Sequence, residues 1–78
     1  MKEKESKHVL ALIFDIPKKE NALRVRIWRE LQRIGAELKF RSLWLLPNNR
    51  RNFSDFKTLR NDIRKNGGKA EVLLIEVM

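Results

Sequence analysis

The chain contains no cysteine, and only three glycines and two prolines interrupt its 78 residues. The absence of cysteine excludes disulfide bonds and thiolate zinc sites. The longest unbroken apolar run, residues 9–14, is too short to cross a bilayer, and the charged residues 1–7 are not followed by a signal-peptide core. The sequence therefore predicts a soluble cytoplasmic protein with a disordered N-terminus over residues 1–7.

Positive charge is what the chain has in excess. Eighteen lysines and arginines against ten acidic residues give a formal net charge of +8, which favours DNA or RNA partners through counterion release. The same charge also suits simple solubility or the surface ion pairs of a thermophile. A chain of this length forms one domain, taken as residues 8–78, and its thin core makes self-association an expected property.

The first half of the chain predicts a strand followed by a helix. Residues 8–16 are rich in large aliphatic side chains and end at Pro17, which cannot donate to a strand ladder. Between residues 20 and 34, apolar side chains recur every three or four positions, as in an amphipathic helix. Gly35 follows directly, where a left-handed terminating residue is expected.

A second strand region, residues 36–46, holds either two short strands or one long bent strand. A hairpin is expected near residues 41–42, although no Gly, Asn or Pro marks a turn there. Residues 48–52 have the composition of a loop. Ser54 is a suitable N-cap for a second amphipathic helix, with Phe53 before it as a hydrophobic staple.

Gly67 and Gly68 predict the end of that helix, and residues 70–78 close the chain as another aliphatic strand. This order predicts an α+β fold, the ferredoxin-like βαββαβ sandwich, with two helices on one face of an antiparallel sheet. Because the strands are apolar on both sides, we expect the other face to meet a second copy in a homodimer. The residues predicted for this dimer interface are Leu43, Trp44 and Leu45.

Eight basic side chains are the candidates for contact with phosphates. Three lie on the first helix opposite its apolar stripe, and the others lie at the edge of that stripe, in the second strand region and in the loop after it. For any one of them, a solvated surface with acidic neighbours is the plainer interpretation, so the charge total is the stronger evidence. The eight are Arg24, Arg26, Arg29, Arg33, Lys39, Arg41, Arg50 and Arg51.

Two tryptophans, Trp28 and Trp44, suit base stacking but are more typical of a core or a subunit interface.

Asp15 is the candidate for a metal ligand, since it is the one charged residue that ends an otherwise apolar strand. A carboxylate there suits a divalent cation such as Mg²⁺, which takes oxygen ligands. One carboxylate is not a metal site, but two copies of Asp15 near the axis of a symmetric dimer could form one. The alternative is a structural role, in which Asp15 accepts backbone hydrogen bonds at the strand end.

Four segments carry a resemblance to known families: residues 12–17, 23–35, 39–47 and 67–72. They are similar to the N-terminal domain of chromate-resistance regulators and the C-terminal domain of phenylacetate-catabolism repressors. They also resemble, more distantly, the small CRISPR-associated protein two, the partner of the CRISPR integrase. The resemblance covers residues 8–77 and implies a ferredoxin-like fold.

The CRISPR family implies metal-dependent cleavage of nucleic acid by a symmetric dimer, with an integrase-type protein as a further partner. Asp15 matches its catalytic metal ligand, and Ser42 matches the serine of its second-strand motif. The sequence departs from that motif at Phe40, where glutamine is usual, and at Trp44, the aromatic residue two positions after the serine. The regulator families imply instead a non-catalytic dimerisation or regulatory module.

Overall fold

The structure, a computed structural model, describes residues 8–77, and the predictions made for residues 1–7 and 78 lie outside the described residues. Its elements in chain order are β1 (His8–Asp15), α1 (Asn21–Arg33), β2 (Glu37–Phe40), β3 (Leu43–Pro47), α2 (Arg50–Lys65) and β4 (Lys69–Glu76). The strands pair antiparallel in the order β2-β3-β1-β4. This is the predicted α+β ferredoxin-like sandwich.

Both helices pack on the same face of the sheet, as their periodicity predicted. Each buries one stripe of three apolar side chains against β1 and β3, where Leu12 is fully buried and Trp44 is 2% exposed. Within residues 8–77, no helix is long and apolar enough to cross a membrane. The two helical stripes are Leu23, Ile27 and Leu31 in α1, and Phe56, Leu59 and Ile63 in α2.

The start of α2 was predicted wrongly. Asn49 is the N-cap, and its side-chain oxygen accepts the backbone N–H of Asn52 at 2.8 Å. Residues 50–52, predicted as loop, therefore form the first turn of the helix. Ser54 lies inside it, and its carbonyl oxygen accepts a hydrogen bond from Oγ1 of Thr58. Asparagine and serine are comparable N-caps. The cap was predicted at Ser54 because Ser54 lies nearer to the apolar residues of the helix.

Residues 36–46 resolve into two short strands joined by a turn at Arg41 and Ser42. No non-glycine residue in the described part of the chain has a positive φ, so the turn does not need the Gly or Asn that primed hairpin turns favour. The pairing register shifts between Leu38 and Phe40, and such an irregularity adds local twist. Turn chemistry alone could not have predicted this hairpin.

Gly35 and Gly67 follow α1 and α2 with φ of +80° and +92°, the left-handed conformation predicted for residues that end helices. Gly68 is required for a different reason, because the chain passes very close to its neighbours there. A Cβ atom at Gly68 would lie 2.6 Å from Cγ2 of Ile63 and 3.0 Å from the carbonyl oxygen of Asp15. The end of α2 is thereby packed directly against the end of β1.

We expect Gly68→Ala to lower the free energy of unfolding by about 1 to 3 kcal/mol, the usual cost of overpacking a well-filled site. Ile63 is fully buried, so its methyl group has little room to move away. Urea denaturation followed by circular dichroism measures the change. Lys65→Ala, an exposed substitution near the end of the same helix, should stay within about 0.5 kcal/mol of the original chain. Equal stability of both variants would contradict the prediction.

The sheet surface opposite the helices, here called the open face, is largely apolar. Strand register and alternation place side chains from all four strands on it. Three of these large apolar side chains are substantially exposed: Phe40 at 69%, Leu73 at 44% and Ile13 at 43%. The apolar members of the open face are Val9, Ala11, Ile13, Phe40, Leu43, Leu45, Leu73 and Ile75.

The predicted interface residues fall on two different sides of β3. Leu43 and Leu45 lie on the open face and are partly exposed, as an interface requires. Trp44 points to the helices and is 2% exposed in the core of its own chain, because side chains alternate along a strand. The dimer interface thus remains a prediction for Leu43 and Leu45, whereas Trp44 has no surface left for a partner.

Candidate functional site

A cleft lies where β1 ends, between α1 and the turn that joins β2 to β3. Its volume is about 410 Å³, within the range of about 300 to 1,000 Å³ typical of ligand pockets. We call it the β1-end cleft. It brings together Asp15 and Ser42, the two residues matched by the resemblance, although they are distant in the sequence. The side chains that give it chemical character are Asp15, Arg24, Trp28, Arg41, Ser42 and Trp44.

Asp15 is exposed, and its carboxylate forms no hydrogen bond or ion pair with any of residues 8–77. The structural role considered for it, acceptance of backbone hydrogen bonds at the strand end, is therefore not observed within this range. Lys69 lies opposite Asp15 in the β1–β4 register, and directly opposed residues have Cβ atoms about 5 Å apart. Lys69 was missed as a candidate residue because its position depends on strand pairing.

Within residues 8–77, no three acidic or histidine side chains come together to hold a metal ion. A divalent cation such as Mg²⁺ takes several oxygen ligands, usually one or two carboxylates with water and substrate phosphates. One chain offers Asp15, together with the Ser42 hydroxyl, which forms no hydrogen bond with the described residues. The donors of one subunit do not make a metal site, and a second copy of Asp15 would be needed.

Two arginines place positive charge at the β1-end cleft. Nη2 of Arg24 donates to the carbonyl oxygen of Ile16 at 3.0 Å, which fixes the guanidinium at the end of β1. A guanidinium has five N–H donors, so most of those of Arg24 remain available. Arg41, in the hairpin turn, is exposed and has no hydrogen-bond or ion-pair partner among residues 8–77. Both suit the recognition of an anion such as phosphate.

Trp28 lies on the side of α1 that faces the cleft. Its ring contacts that of Trp44 edge-on, with the ring centroids 5.1 Å apart and the planes at 79°. Trp28 remains 48% exposed, whereas Trp44 is 2% exposed. The core interpretation therefore holds for Trp44, while Trp28 presents an aromatic surface that its buried neighbour supports.

The remaining predicted basic residues do not form one continuous patch. Two of them are already paired: Nη2 of Arg26 lies 2.9 Å from Oδ1 of Asp62 in α2, and Nη2 of Arg33 lies 2.6 Å from Oε1 of Glu30. The hydrogen bond from Arg33 to Glu30 raises the pKa of Arg33. The members without an ion pair to the described residues are Arg29, Lys39, Arg50 and Arg51.

Arg50 and Arg51 lie at the other end of the sheet from the cleft. They begin α2 directly after β3, and the last residue of β3, Pro47, pairs with Val9 near the start of β1. Since β1 has eight residues, the two ends of the strand are about 25 Å apart. A polyanion contacting both ends would have to span the length of β1.

No family model, curated protein or solved structure matches the chain. The resemblance to the CRISPR-associated and regulator families therefore stays a proposal. The function proposed below is supported by the side chains at the β1-end cleft and by the apolar open face.

Proposed function

We propose that the chain forms a symmetric homodimer that binds DNA or RNA in the cytoplasm, as a small protein of the CRISPR-associated protein two-like superfamily. The single observation that carries the proposal is that arginines without an ion pair line a cleft. Arg24 and Arg41 line the β1-end cleft without an acidic partner among residues 8–77, in a chain with a net charge of +8. Arginines that form no ion pair and line a concave site favour phosphate ligands.

Most of the affinity is expected from phosphate contacts, which carry no sequence information directly. Arg26 and Arg33 are already engaged with carboxylates, so fewer than the eight predicted basic residues remain free for phosphates. Binding of this kind releases counterions and is weakened by salt. We therefore propose modest, largely sequence-independent affinity at low ionic strength.

The open face supports the proposed dimerisation. A chain this small buries only about 60% of the surface that its unfolded chain exposes, and the open face leaves Ile13 and Leu73 each more than 40% exposed. A second copy packed on this face would cover them and would double the positive charge available to a polyanion. The commonest arrangement for such self-association is a two-fold dimer, in which each residue of the interface occurs twice.

A salt titration tests the proposed binding. If about four phosphates are neutralised, affinity for a fluorescein-labelled oligonucleotide should fall about 100-fold between about 50 and 200 mM salt. Arg41→Gln should reduce the dependence of log affinity on log salt by about one unit, because it removes one phosphate contact. Fluorescence anisotropy at several salt concentrations measures both effects.

Arg33→Gln is the matched control, because it removes the same charge from a side chain already paired with Glu30. Its salt dependence should stay closer to that of the original chain than that of Arg41→Gln. Absence of binding at low salt would refute the proposed function, and so would an affinity that does not change with salt.

Metal-dependent phosphodiester cleavage is a second candidate function, and the free carboxylate of Asp15 favours it. Asp15 belongs to the open-face side of β1, at the edge of the cleft. If the two-fold axis passes near this end of the strand, two copies of Asp15 would hold a Mg²⁺-type ion together. Such an ion polarises a phosphoryl oxygen and lowers the pKa of bound water.

The non-catalytic alternative is a dimerisation module of the kind implied by the regulator families. It would use the same open face and would leave Asp15 dispensable. An integrase-type protein partner belongs to the CRISPR-like proposal alone. Both candidates predict a dimer, so the oligomeric state does not distinguish them. Substitution of Asp15 does, because only the cleavage candidate requires its carboxylate.

A further inference from the structure

We propose that the β1-end cleft is a nucleotide subsite, in which the base of an unpaired nucleotide stacks on Trp28 and its phosphate contacts Arg41. The inference rests on the proposed binding of nucleic acid and names the ligand as a single-stranded nucleotide unit. The cleft has a volume of about 410 Å³, in the size range of small-molecule sites. A base paired within a duplex is stacked between its neighbours, whereas a single strand leaves its base faces free.

Trp28 supplies the stacking surface. Its ring packs edge-on against the buried Trp44 at a centroid distance of 5.1 Å, which restricts its rotamer before any ligand arrives. Nearly half of Trp28 nevertheless remains exposed at the cleft. A supported aromatic side chain beside basic residues is the combination that proteins use to bind single strands without sequence preference.

The charges in the cleft orient the nucleotide. Arg24, held by the carbonyl oxygen of Ile16 at 3.0 Å, and the unpartnered Arg41 attract the phosphate. Asp15 in the same cleft repels phosphate, but its free carboxylate accepts hydrogen bonds from the amino group of a base. The base should therefore lie on the side of Asp15 and Trp28, and the phosphate on the side of Arg24 and Arg41.

The test compares two single-stranded oligonucleotides of equal length and charge, one of deoxycytidines and one of abasic sites. The intact chain should bind the cytidine oligomer about tenfold more tightly than the abasic oligomer, since one base–aromatic stack contributes roughly a 5- to 150-fold change. Stacking should also quench the fluorescence of Trp28. Anisotropy and tryptophan emission, recorded at one low salt concentration, give both readouts.

Trp28→Leu should bind both oligomers with the affinity that the original chain has for the abasic one, and Trp28→Phe should recover part of the difference. Phe53→Leu is the matched control, because Phe53 is an aromatic residue of similar exposure, 43%, in α2 and outside the cleft. It should leave the preference for cytidine unchanged. Thermal unfolding checks that Trp28→Leu is folded.

Equal affinity of the original chain for the two oligomers, with salt-sensitive binding to both, would overturn the subsite and leave the proposed function standing. Absence of binding to either oligomer at low salt would overturn both. Both outcomes are measured on the original chain, so the proposal can be refuted even if Trp28→Leu does not fold. Quenching by free cytidine monophosphate as strong as that by the oligomer would support the nucleotide site and assign it to a free nucleotide.

Discussion

Replacement of Leu73 by aspartate is expected to convert the proposed dimer into a monomer. Leu73 lies in β4 on the open face, opposite Ala11 of β1, and is 44% exposed in the single chain. In a two-fold dimer the substitution occurs twice, and each new carboxylate would have to be buried against apolar side chains. Burial of an unpaired charge costs several kcal/mol, so the dissociation constant should rise by at least about 100-fold.

The same strand supplies a matched control. Leu74 follows Leu73 directly, points to the helix side of the sheet and is 58% exposed. Leu74→Asp should leave the proposed dimer intact, because the carboxylate would remain in water and outside the open face. Sedimentation equilibrium at micromolar concentrations measures the association of the original chain and of both variants. A stable monomer of the original chain, or dissociation caused only by Leu74→Asp, would contradict the proposed interface.

The fold was predictable from local patterns because each helix buries a single stripe. Leu23, Ile27 and Leu31 recur at helical spacing, and Gly35 ends the helix that they define. Boundaries set by competing polar residues were less predictable. Asn49 and Ser54 both suit an N-cap, and the helix begins after Asn49, whose side chain accepts the backbone N–H of Asn52.

The candidate site was less predictable than the fold, because strand pairing and helix packing assemble it. Asp15 stood out in the sequence as the charged residue at the end of an apolar strand. Its neighbours in space, Ser42 and Lys69, depend on the hairpin and on the β1–β4 register. The pairing of Arg26 with Asp62, which joins α1 to α2 across 36 positions of the chain, carries no local signal at all.

Asp15 connects the two proposed surfaces. It lies at the end of the open face, opposite Lys69 in the β1–β4 strand register, and it also lines the cleft that contains Trp28. A dimer built on the open face would therefore place a second subunit close to the nucleotide subsite. If occupancy of the proposed nucleotide subsite favours the association of two chains, association must favour occupancy by the same factor, because linked binding equilibria are reciprocal.

Replacement of Asp15 by asparagine is expected to abolish the proposed Mg²⁺- or Mn²⁺-dependent cleavage of nucleic acid, while the proposed dimer and its salt-sensitive binding persist. The substitution keeps the shape of the side chain but removes one negative charge per subunit, on which a shared divalent ion would depend. If Asp15 were instead a strand-end cap, the same change would cost about 0.5 to 2 kcal/mol of stability. Since the carboxylate has no hydrogen-bond partner among residues 8–77, we expect the free energy of unfolding to change by less than about 0.5 kcal/mol.

Cleavage of labelled single-stranded and duplex substrates, with Mg²⁺ or Mn²⁺ and with a chelator, should be measured on the same preparations as thermal unfolding. Asp55→Asn makes the same chemical change in α2, outside the β1-end cleft, and should leave cleavage unchanged. Metal-dependent cleavage that survives in Asp15→Asn would show that the assignment of the catalytic residue is wrong. A dimer of the original chain that binds nucleic acid but never cleaves it would favour the non-catalytic module, because the open face and the free arginines are sufficient for that role.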